Sequence, residues 1–244
     1  MSQMHTEGRG GGSDEVPISN LPPGVREARW LKRSAGLVQP DIVYLELEGH
    51  QGELQAVVWK TYAARPWLER QTFGRWFTRR EAHVMSRLAA VRGCPPCLGR
   101  PHPWTLAMEA CPGEKPPRRP DVAERVGKVV EELHAHGVTH GDIHRRNILW
   151  DPRNHQVWLV DYTQSLLHPR VPIPLVRRVT GYVFRQAVHI DRVRLAELKR
   201  RWAGRGQLNE EERELLDQPP WYLRWGRGFR KGVYKRLRDR LKGR

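Results

Sequence analysis

Residues 140–161 read His140-Gly141-Asp142-Ile143-His144-Arg145-Arg146-Asn147-Ile148-Leu149-Trp150-Asp151-Pro152-Arg153-Asn154-His155-Gln156-Val157-Trp158-Leu159-Val160-Asp161. The apolar runs Ile148–Trp150 and Val157–Val160 are separated by Asp151-Pro152-Arg153-Asn154, a composition that favours a turn. The pattern predicts a polar loop, a strand, a turn, a second strand and an acid at its end. Asp142, Asn147 and Asp161 have no evident packing role beside such strands, which marks them as candidates for chemistry.

Working upstream, Asp121 with Glu124 three residues later is a capping-box signature for a helix start. Val122, Val126, Val129, Val130 and Leu133 would form its buried stripe, and Gly137 would close it. Nearer the N-terminus, Ile42–Leu47 and Leu54–Tyr62 flank a short connection between Gly49 and Gly52 and read as a hairpin. A period of two puts Leu54, Ala56, Val58 and Lys60 on one face, so Lys60 emerges from an otherwise apolar surface. The following segment places Phe73, Phe77, Val84, Leu88 and Val91 in a narrow arc at ~100° per residue, and Glu81 projects into that arc. A buried carboxylate there needs a cation, and Lys60 is the candidate. The alternative is that Thr78 and Glu81 form a capping box, which needs no such partner.

Phosphoryl transfer needs cations on the phosphate oxygens, ligands for magnesium and a carboxylate to orient the acceptor hydroxyl. Asp142 suits the last role, Asn147 and Asp161 suit Mg²⁺, and Lys60 held by Glu81 suits the α- and β-phosphates of ATP.

A strand lysine, a helix glutamate, an Asp-x-x-x-x-Asn loop and a later metal-binding Asp together resemble the protein-kinase-like superfamily. The resemblance covers roughly residues 25–165, and its most specific part is His140 to Asp161. It implies an α+β, two-lobed fold with a small β-rich N-lobe and a mostly helical C-lobe. The expected layout is a disordered Gly- and charge-rich arm (1–20), an N-lobe (21–110), a C-lobe (111–220) and a basic amphipathic tail (221–244). By position, Glu109 and Cys111 would lie in the hinge that accepts the adenine edge.

The departures from the superfamily pattern narrow the kind of kinase. Gly141 stands where typical protein kinases carry an arginine that senses a phosphorylated activation loop. Asp161-Tyr162-Thr163 replaces Asp-Phe-Gly, and no Ala-Pro-Glu segment follows. His144 stands where small-molecule kinases of the aminoglycoside type often have histidine, so it joins Asp142 among the candidate catalytic residues. No glycine-rich phosphate loop is legible, since Gly36 is the one glycine between Trp30 and Asp41.

Composition bears on the acceptor. Lys+Arg number 43 against 27 Asp+Glu, a formal charge of +16 over 244 residues, which suits an anionic partner. No apolar run reaches membrane-spanning length and the first thirty residues lack a secretory apolar block, so a cytoplasmic location is expected. Cys94-Pro-Pro-Cys97 could be half a zinc site but has no second ligand pair at zinc spacing, and reduced thiols are expected.

A helix is expected from Ile190 to Trp202 and another from Asn209, capped with Glu212, to about Pro219-Pro220. Trp225, Phe229, Val233, Leu237 and Leu241 then recur every four residues among many cations. Such a tail suits an anionic membrane surface or packs on the lobe; RNA contact ranks below these for lack of a recognised motif. The small core and the basic aromatic tail together resemble the bacterial lipopolysaccharide kinases, which phosphorylate a Kdo or heptose sugar of the inner core at the cytoplasmic membrane face. That implies ATP, Mg²⁺ and an anionic lipopolysaccharide acceptor. A small atypical Ser/Thr protein kinase or ATPase of RIO-like type is the rival within the fold, and a pseudokinase binding module is the rival outside catalysis.

Overall fold

The computed structural model describes residues 21–34, 39–49, 52–169 and 172–217. The expected N-terminal arm, the segment around Gly36 and the basic tail lie outside the described residues. Of the described residues, 21–82 and 97–110 make one compact unit, and 83–96 with those from 111 onward make a second. The fold is α+β: a β-rich N-terminal part and a helical C-terminal part, the two lobes of a kinase-like fold.

In the first unit, β1 (Val25–Lys32), β2 (Asp41–Glu48), β3 (Leu54–Thr61), β4 (Cys97–His102) and β5 (Thr105–Glu109) form one five-stranded sheet in the order β1-β2-β3-β5-β4. All neighbouring strands run antiparallel. The anticipated hairpin is β2–β3, with Asp41 opposite Thr61 and Glu48 opposite Leu54. The strands without a sequence signal, β1 and β4, are the edge strands, whose half-exposed residues blur alternation. Alternation gives the sheet a core face of Val43, Leu45, Val57, Trp59 and Ala107. Lys60 projects from the opposite face of β3, in register with Ile42 on one side and Leu106 on the other. Leu54, expected on that face, sits at the strand's start and is 60% exposed.

After β3 the chain enters α1 (Trp67–Glu69), passes through a π-helical turn (Arg70–Gly74) and continues as α2 (Arg75–Arg87). The π turn shifts the helical phase, and Phe73, expected in the buried arc, is instead 49% exposed. Val84 and Leu88 are buried as their spacing requires. Thr78 lies inside α2, its hydroxyl donating to the carbonyls of Gly74 and Pro103, so it caps no helix start. That removes the capping-box alternative for Glu81.

The second unit is built on α3 (Pro120–Ala135), the hairpin β6 (Ile148–Asp151) and β7 (Gln156–Leu159), α4 (Pro174–Ala203) and α5 (Glu210–Asp217). The foreseen stripe of α3 is buried, but Asp121 does not cap it. The helix opens two residues earlier than that cap implies, with Pro120 at its first position, and Asp121 instead pairs with Arg119. Its end is a Schellman motif: Val138 N–H donates to Leu133, Gly137 N–H donates to His134, and Gly137 takes φ +70°. At α5 the capping box is present, Asn209 and Glu212 exchanging side-chain-to-backbone bonds of 2.7 and 3.1 Å.

α4 departs most from expectation. It has 30 residues and begins at Pro174, sixteen positions before the anticipated Ile190. Between Pro174 and Ile190 many of its large apolar residues are exposed and Gly181 interrupts them, so the stretch gives no core-facing stripe to read.

Candidate functional site

In the first unit Lys60 Nζ lies 2.6 Å from Glu81 Oε1, and both residues are 5% exposed. The partner inferred from burial is therefore the partner found. Removing one member of such a pair leaves a buried charge, a change that costs roughly 3–5 kcal/mol. Glu109 closes β5 opposite Val57, and Cys111 opens the second unit's longer stretch.

In the second unit the loop from Thr139 to Asn147 is held by buried and half-buried polar contacts. Asp191, fully buried in α4, accepts the main-chain N–H of His140 at 2.7 Å and of Gly141 at 2.8 Å. His134 Nε2 approaches the same carboxylate at 3.1 Å. Gly141 turns the chain at φ +80°, and a Cβ there would stand 2.6 Å from the Gln164 carbonyl oxygen. The absence of a side chain at this position is thus a packing requirement of the loop.

The His140 ring orders the same loop. Asp142 N–H donates to its Nδ1 at 3.3 Å and Nε2 lies 3.2 Å from the Val160 carbonyl, which fixes the neutral tautomer protonated at Nε2. Burial pushes the His140 pKa down, against the opposing pull of Asp191, Asp161 and Asp142.

Asp142, Asn147 and His144 are brought together. Asn147 Nδ2 donates to the Asp142 carbonyl at 3.0 Å and to its Oδ2 at 3.3 Å, and His144 Nε2 lies 3.4 Å from that same Oδ2. Asp142 is only partly buried, so its carboxylate is accessible from solvent. The Asn147 carbonyl accepts the N–H of Val160 at 3.0 Å, which sets Asn147 beside the strand end that carries Asp161.

Asp161 adopts φ +73°, an uncommon conformation for a residue with a side chain. Thr163 Oγ1 donates to its Oδ1 at 2.7 Å. Tyr162 turns inward, 1% exposed, its hydroxyl 3.0 Å from the Leu159 carbonyl and 2.9 Å from Cys94 Sγ. Burial raises the Cys94 pKa to about 11, so this thiol stays protonated at neutral pH. Among the described residues no three His, Cys, Asp or Glu side chains cluster as metal ligands, and the three cysteines form no disulfide.

A magnesium ion is a natural fit for the remaining donors. With Nδ2 of Asn147 engaged by Asp142, its amide oxygen is the donor left for a hard cation, and Asp161 adds a carboxylate. Mg²⁺ is commonly held by one or two carboxylates together with substrate phosphates, so a full protein cage is not required.

Asp191 and Thr163 escaped the sequence reading of the site. The first had a signal: no Asp or Glu occurs between Tyr162 and Ile190, so Asp191 is an isolated acid in a cationic stretch.

A two-lobed fold with a sheet lysine buried against a helix glutamate and an Asp-x-x-x-x-Asn loop before a hairpin and a second Asp defines a kinase, a phosphotransferase of the protein-kinase-like superfamily. Within that superfamily the chain is similar to the lipopolysaccharide kinase (Kdo/WaaP) family, whose model matches residues 107–171. The matched segment contains Glu109, Cys111, Asp142, His144, Asn147 and Asp161; Lys60, Glu81 and Asp191 lie outside it. No curated protein matches the chain.

Proposed function

We propose that this kinase transfers the γ-phosphoryl group of ATP to a hydroxyl of a lipopolysaccharide inner-core sugar, Kdo or heptose. The observation that carries the reading is the tie of Asp142 Oδ2 to Asn147 and His144, inside the segment that resembles the lipopolysaccharide kinases. In this reading the Asp142 carboxylate orients the acceptor hydroxyl and takes its proton as the new P–O bond forms. Asn147 and His144 hold that carboxylate in place. Lys60, fixed by Glu81, steadies the α- and β-phosphates, and the hinge around Glu109 and Cys111 receives the adenine edge. Asn147 and Asp161 would hold Mg²⁺, which when bound neutralises charge on the phosphate oxygens.

The chain is proposed to work in the cytoplasm, peripheral to the inner membrane. No helix among the described residues is long and apolar enough to cross a membrane. The test is a transfer assay with γ-labelled ATP and Mg²⁺ that offers inner-core lipopolysaccharide, a generic protein and tRNA-associated proteins side by side. Label on the lipopolysaccharide sugar is expected. Label on protein alone would replace the sugar reading with the RIO-like one, and ATP binding without any turnover would favour a binding module.

A further inference from the structure

The first half of α4 presents a surface that phosphoryl transfer does not use. Ile173, just before the helix, is 57% exposed, and Leu175, Val176, Val179, Tyr182 and Val183 are 72, 39, 56, 57 and 49% exposed. At ~100° per residue the five helical positions fall within an arc of roughly 120°, so they make one continuous stripe. Gly181 and Phe184, the buried residues of this half, point to the opposite side of the helix, where Phe184 meets the His168 ring edge-on. The stripe therefore faces away from the unit's own core, and among the described residues no buried neighbour covers it.

Water-facing apolar residues in such a row are unusual in a soluble protein and mark a contact surface. Charge selects the partner. The helix carries Arg177, Arg178 and Arg185 through this half, and no acidic residue occurs from Tyr162 to Ile190. Arg178 and Arg185 project along one flank of the stripe by the same helical spacing. An apolar stripe bordered by arginines, with acids excluded, complements an anionic lipid interface, into which side chains insert while guanidinium groups meet phosphates. A protein partner of ordinary composition would give no reason for the missing acids.

We infer that residues 173–185 dock the kinase onto an anionic phospholipid bilayer, with the Leu175–Val179–Tyr182 stripe inserted among the headgroups. The inference rests on the peripheral membrane location proposed above and names the surface responsible. One continuous helix links this surface to the site: further along α4, Asp191 holds the backbone of the loop that carries Asp142. A helix lying in the bilayer plane would thereby set the distance between that loop and a lipid-anchored acceptor.

The experiment is co-sedimentation of the full chain with sucrose-loaded vesicles of phosphatidylcholine alone, or of phosphatidylcholine and phosphatidylglycerol in equal parts, without nucleotide or acceptor. Wild type is expected to bind the anionic vesicles, and Leu175→Glu/Val179→Glu to bind them roughly tenfold less or weaker. Both substituted residues are exposed, so the variant's thermal unfolding should match wild type. The tail is present in both proteins, so the difference reports on α4 alone. Equal binding by the two proteins overturns the inference. So does a wild-type dimer that the same substitutions dissociate, which would make the stripe a contact between copies of the chain. Phosphorylation of a soluble, delipidated core acceptor tests the proposed function separately: its absence with wild type sinks that reading, while equal turnover by wild type and the variant leaves docking as the step affected.

Discussion

The Asp191 carboxylate in α4 receives the main-chain N–H groups of both His140 and Gly141, fifty residues and more away in sequence, at 2.7 and 2.8 Å. A single buried acid thus determines the path of the loop that carries Asp142.

Replacing Asp191 with Ala leaves two buried or half-buried N–H groups without an acceptor, each worth roughly 1–3 kcal/mol. Urea denaturation should show a loss of several kcal/mol for Asp191→Ala and a smaller one for Asp191→Asn, which keeps one carbonyl oxygen. Turnover should fall in both before nucleotide affinity does. An unchanged unfolding midpoint in Asp191→Ala would remove the anchoring role.

Gly141→Ala tests the turn itself. The left-handed conformation disfavours a side chain by roughly 1–2 kcal/mol, and the new Cβ would press on the Gln164 carbonyl, with backbone on both sides of the contact. The expected outcome is a lower melting temperature together with reduced turnover, and a larger loss for Gly141→Arg.

Much of this loop was legible before the structure. Its polar residues sit between apolar runs whose lengths and turn residues admit one local arrangement, and Lys60 and Glu81 were paired by burial logic alone. What stayed hidden shares a physical cause. Asp191 acts on backbone N–H groups, which leave no trace in residue type. The edge strands β1 and β4 are too exposed to alternate cleanly, and the first half of α4 shows its apolar residues to solvent, so a search for a core-facing stripe passes over it. Phe73 was misplaced because one π-helical turn shifts the helical phase without any marker in the sequence.

The Lys60–Glu81 pair offers a double-mutant cycle. Lys60→Met and Glu81→Leu should each lower stability by roughly 3–5 kcal/mol, because each strands a buried charge. The double variant should recover most of that loss, since two apolar side chains can occupy the same space. Nucleotide binding should remain impaired in the double variant. Additive losses in denaturation would show that the pair does not interact in solution.

For the groups proposed to act on the acceptor and the metal, Asp142→Asn is expected to lower turnover by roughly 10²–10⁴-fold while nucleotide affinity stays near wild type. Asp161→Ala should instead abolish the Mg²⁺-dependent part of nucleotide binding, measured by titration with and without the cation. Turnover surviving in Asp142→Asn would remove it as the acceptor-orienting base.

His140 should make the fold acid-sensitive. Its pKa is pushed down by burial from an ordinary 6.5, so the folded state favours the neutral ring that accepts from Asp142 N–H and donates to Val160. A depressed folded value means its contribution is present above pH ~6.5 and is lost as pH falls through the folded value. Below the free pKa the unfolded chain binds a proton that the folded chain excludes, and stability should decline by up to ~1.4 kcal/mol per pH unit from this group alone. His140→Gln keeps one acceptor and one donor but does not titrate here. Denaturation midpoints from pH 7.5 to 5 should therefore fall less steeply in His140→Gln than in wild type. Parallel pH profiles would assign the acid sensitivity to other groups, and a wild-type midpoint that rises on acidification would contradict the buried neutral ring.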